Sequence, residues 1–217
     1  MNRSVCVAMC TVLIIFYLVP VAMSTEKLEP VQLVKPQMSG GKSLMEALAK
    51  RRSTRSFDAR RLPPQTLSNV LWAANGINRP ESGKRTAPSA MNRQEIDIYA
   101  ATAEGLYLYN AKDHRLDPVL AEDIRARAGE QPFVKTAPVV LIYVADYARM
   151  GDAPRDSKEF YSATDTGFIS QNVYLYCASE GLATVVLGWV DKPALAKTMK
   201  LRDDRKIILT QPVGYPK

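Results

Sequence analysis

The 217-residue chain is poor in the side chains that most readily build reactive centres, with 1 His and 3 Cys. Two of the cysteines, Cys6 and Cys10, sit at the very start, and only Cys177 lies beyond them. Once that start is removed no internal disulfide can form, and neither a Cys/His zinc site nor a histidine-rich metal site can be assembled. A hydrolytic triad would have to recruit His114, which stands in "NAKDHR", a polar stretch that reads as a solvated hairpin turn. No G-x-G-x-x-G follows a strand and no G-x-x-x-x-G-K-[ST] occurs, so nothing argues for a Rossmann dinucleotide site or a P-loop. The formal charge is +7, but the lysines and arginines are dispersed and no aromatic-interleaved basic stripe accompanies them, which argues against nucleic acid as a partner.

What the chain does have begins with a distinct N-terminal segment. Arg3 precedes an apolar run from Val5 to Val19, followed by Pro20 and the small-residue site Ala22-Met23-Ser24. That order is the plan of a secretory signal peptide over residues 1–24, cleaved after Ser24, and it places the mature protein outside the cytoplasm, in a periplasmic or other extracytoplasmic compartment. The run is about 15 residues, shorter than the roughly 20 that span a bilayer, so contact with a membrane is expected only if the segment stays uncleaved as an anchor. Cleavage lowers the charge from +7 to +6, because Arg3 is the only charged residue removed. Residues 25–42 hold two prolines and a Gly pair without apolar periodicity and read as a leader arm, ahead of one domain over residues 43–217.

Within that domain Ser43 can cap a short helix that carries Leu44, Ala47 and Leu48 on one face and ends in Lys50-Arg51-Arg52. A second helix is predicted from Gln65 to Ala74, stopped by Asn75-Gly76. "EIDIYAAT" alternates with period two, and "GLYLYNAKDHRL" gives two strand-like runs around a turn. Residues 119–128 read as a helix closed by Gly129. "APVVLIYVAD" is a continuous apolar run of the kind buried on both faces of a sheet. From Ser162 to Glu180 the pattern is helical with apolar residues all round the cylinder, which predicts a central helix. A strand near Thr184 to Leu187, a short helix over Pro193 to Met199 and a last strand in "KIILTQPV" complete an α+β fold, a mixed, mostly antiparallel sheet flanked by helices.

Two polar stretches stand out. In "KRRSTRSFD", residues 50–58, cations at a helix C-terminus interact favourably with its carbonyls, which accounts for Lys50, Arg51 and Arg52 as simple helix ends. Arg55, with Ser53 and Thr54 beside it, instead offers the guanidinium forks and hydroxyls that a phosphate needs. "RTAPSAMNRQE", residues 85–95, offers Ser89, Asn92 and Gln94, suited either to a heterocycle edge or to an ordinary surface loop.

These stretches, with "LSNVLWAANGINR", "GLYLYN", "APVVLIYVAD", "TDTGFISQNVYLYCASEGLATVVLG" and "PVGYP" in the same order, resemble the FMN-dependent nitroreductase superfamily over nearly all of residues 43–217. The likeness is nearest to the branch that contains the azoline-oxidising dehydrogenases, although "MNRQ" replaces that branch's glycine-containing loop and speaks against its substrate class. The resemblance implies a homodimer with FMN at the interface, each site lined by both chains, and a small-molecule substrate. It implies that Arg51 and Ser53 hold the phosphate and ribityl chain with Arg52 adjoining, and that Arg55 faces the pyrimidine edge. Asn92 would lie beside the ring, supported by Ser89 and Gln94, while the backbone amides of Leu187 and Gly188 would meet the redox edge. No side-chain nucleophile is implied; the flavin does its chemistry at N5, and Arg55 contributes electrostatically to the charge that gathers near N1. Many relatives continue past the "GYP" equivalent into a tail that brings a further Lys or Arg to the phosphate; here either Lys217 or Arg85 takes that role or the cofactor is held more loosely. The implied function is an exported FMN-dependent oxidoreductase working by a ping-pong scheme. The alternatives are a flavin-dependent dehydrogenase of a peptide or metabolite, a non-catalytic flavin carrier, or a structural homologue that has lost FMN.

Overall fold

A computed structural model describes residues 28–217. The signal peptide expected over residues 1–24 lies outside the described residues, as does the start of the leader arm. Among the described residues no helix is long and apolar enough to cross a membrane. In chain order the elements are β1 (Val31–Gln32), α1 (Leu44–Lys50), β2 (Phe57–Asp58), α2 (Pro64–Asn75), β3 (Ile77–Arg79), β4 (Lys84–Arg85), β5 (Ile96–Ala101), β6 (Leu106–Asn110), β7 (Arg115–Leu120), β8 (Val139–Asp146), α3 (Arg155–Glu180), β9 (Ala183–Thr184), α4 (Lys192–Thr198) and β10 (Arg205–Pro216).

Eight strands form one sheet in the order β1-β7-β6-β5-β8-β10-β2, with β9 on β10, and each described pairing is antiparallel. The α+β class with a mostly antiparallel sheet is therefore the observed one. Strand β8 sits at its centre, and every one of its residues is buried. Its alternation splits the interior: Val139, Leu141, Tyr143 and Ala145 pack with α2 and α3, while Val140, Ile142 and Val144 pack with Leu195 and Met199 beside α4 on the other face. An unbroken apolar strand is the sequence form of a strand covered on both sides.

The local signals explain most boundaries. Ser43 accepts from the Glu46 amide and starts α1, and Asp191 accepts from the Ala194 amide and starts α4. Helix α3 ends at Gly181, whose φ of 70° is a left-handed cap that glycine adopts without Cβ strain. Three expectations are corrected. Residues 119–128 are not a helix: β7 runs to Leu120 along β6, and only the turn Arg125–Arg127 is 3-10, because Ile124 and Ala128 are the only residues there spaced to bury a helical face. Helix α3 starts at Arg155 rather than Ser162, and it is not apolar-covered all round, since Phe160 and Phe168 are exposed. His114 does occupy a left-handed turn position, yet its ring is half-buried: Tyr109 Oη lies 3.0 Å from Nδ1 and Ser68 Oγ 2.7 Å from Nε2. Desolvation lowers its pKa.

The arm over residues 28–42 is strapped onto the domain. Strand β1 pairs with β7, the Gln37 amide donates to Asn69 Oδ1, and Lys42 Nζ donates to the Ser179 carbonyl at 2.6 Å. Proline and glycine left it no periodicity, so its attachment runs through backbone groups that composition does not reveal.

Candidate functional site

The basic stretch leaves α1 and crosses the C-terminal half of α3 before entering β2. Lys50 turns back to Glu46 at 2.8 Å, one helical turn away. Arg51 lies over the Tyr174 ring, 5.3 Å from its centroid. The Ser53 and Tyr174 hydroxyls are 2.9 Å apart, and Tyr174 Oη accepts from the Val186 amide at 2.9 Å. The Thr54 amide donates to the Thr184 carbonyl at 3.0 Å. Tyr174 thus fastens the basic stretch to the segment that carries Leu187 and Gly188. Beneath the stretch lies a cavity of about 600 Å³ whose walls include Lys42, Arg51, Arg52, Thr54, Tyr174 and Thr184.

Arg52 and Arg55 are exposed and, like Arg51, have no carboxylate partner among the described residues. Three guanidinium groups within five residues, left without carboxylate counterions among the described residues and beside hydroxyls, with Arg51 and Arg52 on the cavity wall, suit an anionic group such as a phosphate. Leu187 is buried and spends its amide on the Thr210 carbonyl at 2.8 Å, so the exposed Gly188 is the member of that pair whose backbone faces outward. Lys217 donates its backbone amide to Ser56 at 3.4 Å and therefore ends beside the basic stretch. Arg85 does not: its Nε donates to Gln94 Oε1 at 2.8 Å and its Nη1 to the Asn75 carbonyl at 3.0 Å, which removes it as a substitute phosphate ligand.

The second stretch folds as a tight loop in which Met91, Asn92 and Gln94 all have positive φ, at 56°, 55° and 50°. Side chains hold that strained backbone. Ser89 Oγ accepts from the Gln94 amide at 2.9 Å, and Gln94 Nε2 donates to Asn92 Oδ1 at 3.1 Å and to the Gly83 carbonyl at 3.2 Å. Ser89 and Gln94 are spent inside the loop, while Asn92 is exposed. The loop is tied to α3 where the Ala90 amide donates to Asp165 Oδ2 at 2.9 Å.

Asp165 and Tyr174, the two anchors on α3, are nine residues apart. At 1.5 Å and about 100° per residue that separation is roughly 14 Å along the helix and about half a turn around it. One chain therefore brings Arg51, Arg52 and Ser53 together around Tyr174, with Arg55 following in the same stretch and Gly188 two residues beyond the Val186 that Tyr174 holds, and it keeps Ser89, Asn92 and Gln94 on the far side of the same helix. Sequence reasoning missed Tyr174 and Asp165, both inside a helix read as core. A tyrosine hydroxyl or a carboxylate in such a helix must find a polar partner, which is the signal that would have pointed to them.

Comparison with known proteins agrees with this fold. A crystal structure of a nitroreductase-family protein from Ralstonia eutropha JMP134 is 42% identical, with a TM-score of 0.84 over 88% of this chain and 90% of that one. A nitroreductase-family protein of Methanocaldococcus jannaschii is 33% identical over 181 residues, 79% of this chain and 90% of the relative. A chain of the E. coli microcin synthetase McbBCD complex with truncated pro-MccB17 bound shares the fold at 19% identity, with a TM-score of 0.67 over 94% of this chain and 85% of that one. The family described as "Nitroreductase family" matches residues 48–215, and the chain belongs to it.

Proposed function

We propose that the protein is an exported, FMN-dependent oxidoreductase of nitroreductase type. It acts as a homodimer that passes electrons or hydride to a small organic acceptor by a ping-pong scheme. The observation that carries this reading is a stretch of guanidinium groups with no carboxylate partner among the described residues, Arg51 and Arg52 on the wall of a cavity and Arg55 just beyond it, in a family whose members bind flavin. Arg51, Arg52 and the Ser53 hydroxyl would hold the phosphate and ribityl chain. Arg55 would place fixed positive charge at the pyrimidine edge, where it offsets the negative charge that builds on reduction. FMN, when bound, supplies the electron chemistry, so the chain needs no nucleophile and no histidine.

The dimer is supported by the half-turn between the two halves of the site, since a second copy could bring its Asn92 loop to the first copy's arginines. It is also supported by exposed apolar side chains on the same helices: Leu44 and Met45 on α1, Phe160 and Phe168 on α3. Export is supported by the order of residues 1–24. The test is titration of mature protein with FMN, with flavin fluorescence, thermal unfolding and sedimentation as readouts. One FMN per chain, quenched fluorescence, a raised Tm and a dimer are expected; neither quenching nor a raised Tm in excess FMN would overturn the reading.

A further inference from the structure

Directly after the Asn92 loop, Glu95 opens onto β5 with no solvent exposure, and neither of its carboxyl oxygens has a hydrogen-bond partner within 3.5 Å among the described residues. Its nearest charged neighbour on α3 is Asp165, 2% exposed, the same carboxylate that accepts from the Ala90 amide. The adjoining Thr166 hydroxyl is also buried and unpartnered. Two carboxyls therefore share a closed site behind a loop whose three left-handed residues each store strain. The opposing charge is small. Arg149 reaches in from the turn after β8 but donates to the Gln94 carbonyl at 2.7 Å and pairs with Asp97 and Asp146. Arg85 is committed to Gln94 and Asn75.

We propose that Glu95, kept as the neutral acid, and Asp165 form a positioning pair that holds residues 90–94 in their strained conformation and so presents Asn92 to the ligand. The hold weakens when Glu95 loses its proton. Only the identity of that ligand rests on the flavin reading. Two ionised carboxylates cannot both be accommodated without water, and the loop tied to Asp165 is the piece that can move to admit it.

Burial is the largest cause that raises the Glu95 pKa from 4.5 to about 7, and Asp165 adds to it; the Glu95 backbone amide opposes the rise most, and Arg149 opposes it less. Between those values the closed loop keeps a proton that an opened, hydrated Glu95 releases. The closed form is therefore fully favoured below 4.5, loses stability as pH rises through the window, and levels off above about 7.

The test is hydrogen exchange of residues 89–94 in the ligand-free full chain from pH 4.5 to 8.5, corrected for intrinsic exchange. Protection is expected to fall by up to about tenfold per pH unit between 5 and 7 and then flatten, the limit for one proton. Glu95→Gln, which is uncharged and nearly isosteric, should keep acid-level protection across the range. Asp165→Asn, which can still accept from Ala90, should move the fall to lower pH. Protection that is flat in the unmodified chain, or an unchanged fall in Glu95→Gln, would overturn the pair. FMN affinity followed alongside should weaken through the same window relative to Glu95→Gln. If FMN binds to no form the flavin reading fails, while the exchange result still decides the role of Glu95 and Asp165.

Discussion

Two groups of three arginines, near opposite ends of β10, are equal in number and opposite in structure. Arg149, Arg202 and Arg205 lie where β8 and β10 meet, among Asp97, Asp146 and Asp204. Arg205 Nη2 is 2.9 Å from Asp146 Oδ2, its Nη1 donates to Tyr99 Oη at 2.9 Å, and Arg202 Nε is 3.0 Å from Asp204 Oδ1. Arg51, Arg52 and Arg55 have no such carboxylates among the described residues. Cations that already have counterions close a sheet end, whereas cations without them leave attraction available for a ligand's anion. The difference lies in what the chain brings against each group, and so it predicts opposite responses to mutation.

The largest effect is expected at the paired end. Asp146 is 6% exposed and meets Arg205 in register across β8 and β10. Asp146→Ala strips Arg205 of its main partner and should cost about 2–4 kcal/mol of stability, read by urea unfolding. A loss below about 1 kcal/mol would mean that solvent screens this network as it screens ordinary surface pairs, and the contrast between the two ends would fail.

At the unpaired end the signs reverse. Arg55→Ala should change stability by less than about 0.5 kcal/mol, because no native carboxylate is abandoned, and Arg51→Ala by no more than about 1 kcal/mol, the worth of its contact with the Tyr174 ring. Each should weaken FMN binding by about tenfold to a hundredfold, the worth of a charge-assisted hydrogen bond to a ligand. Tight FMN binding in both variants would remove these arginines from the site while leaving the fold intact.

This contrast marks how far the sequence could be read. The β8 run, the α2 and α4 boundaries and the Ser43 cap were legible because each is set by neighbours in the chain: an unbroken apolar stretch, Gly after the last turn, a hydroxyl before the first. The residues of the basic stretch were legible for the same reason. What Arg85 does was not, because its partners Gln94 and Asn75 come from a loop and a helix end that only folding brings together. His114 failed likewise: its turn is local, but Ser68 arrives from α2. The failed helix over residues 119–128 shows the third case: pairing along β6 takes the segment as far as Leu120, and beyond it only Ile124 and Ala128 are buried, too few to seat a helical face.

The smallest expected effect is the most discriminating for the basic stretch. Lys50 belongs to the same run of cations as Arg51 and also borders the cavity, yet its ammonium is exposed and turned back to Glu46. If the stretch attracts FMN only through its summed charge, Lys50→Gln and Arg55→Ala remove the same unit of charge a few residues apart and should weaken binding alike, with both losses fading as salt rises. If instead the guanidinium groups form directed bonds, Lys50→Gln should leave affinity within about twofold, as expected for an exposed charge already paired on its own helix. Arg55→Ala should then keep most of its loss at about 0.5 M salt, where the Debye length falls to roughly 4 Å and long-range attraction is gone. Equal losses that vanish together in salt would reduce the site to a positive surface; a separation between the two variants that persists in salt requires a socket with shape.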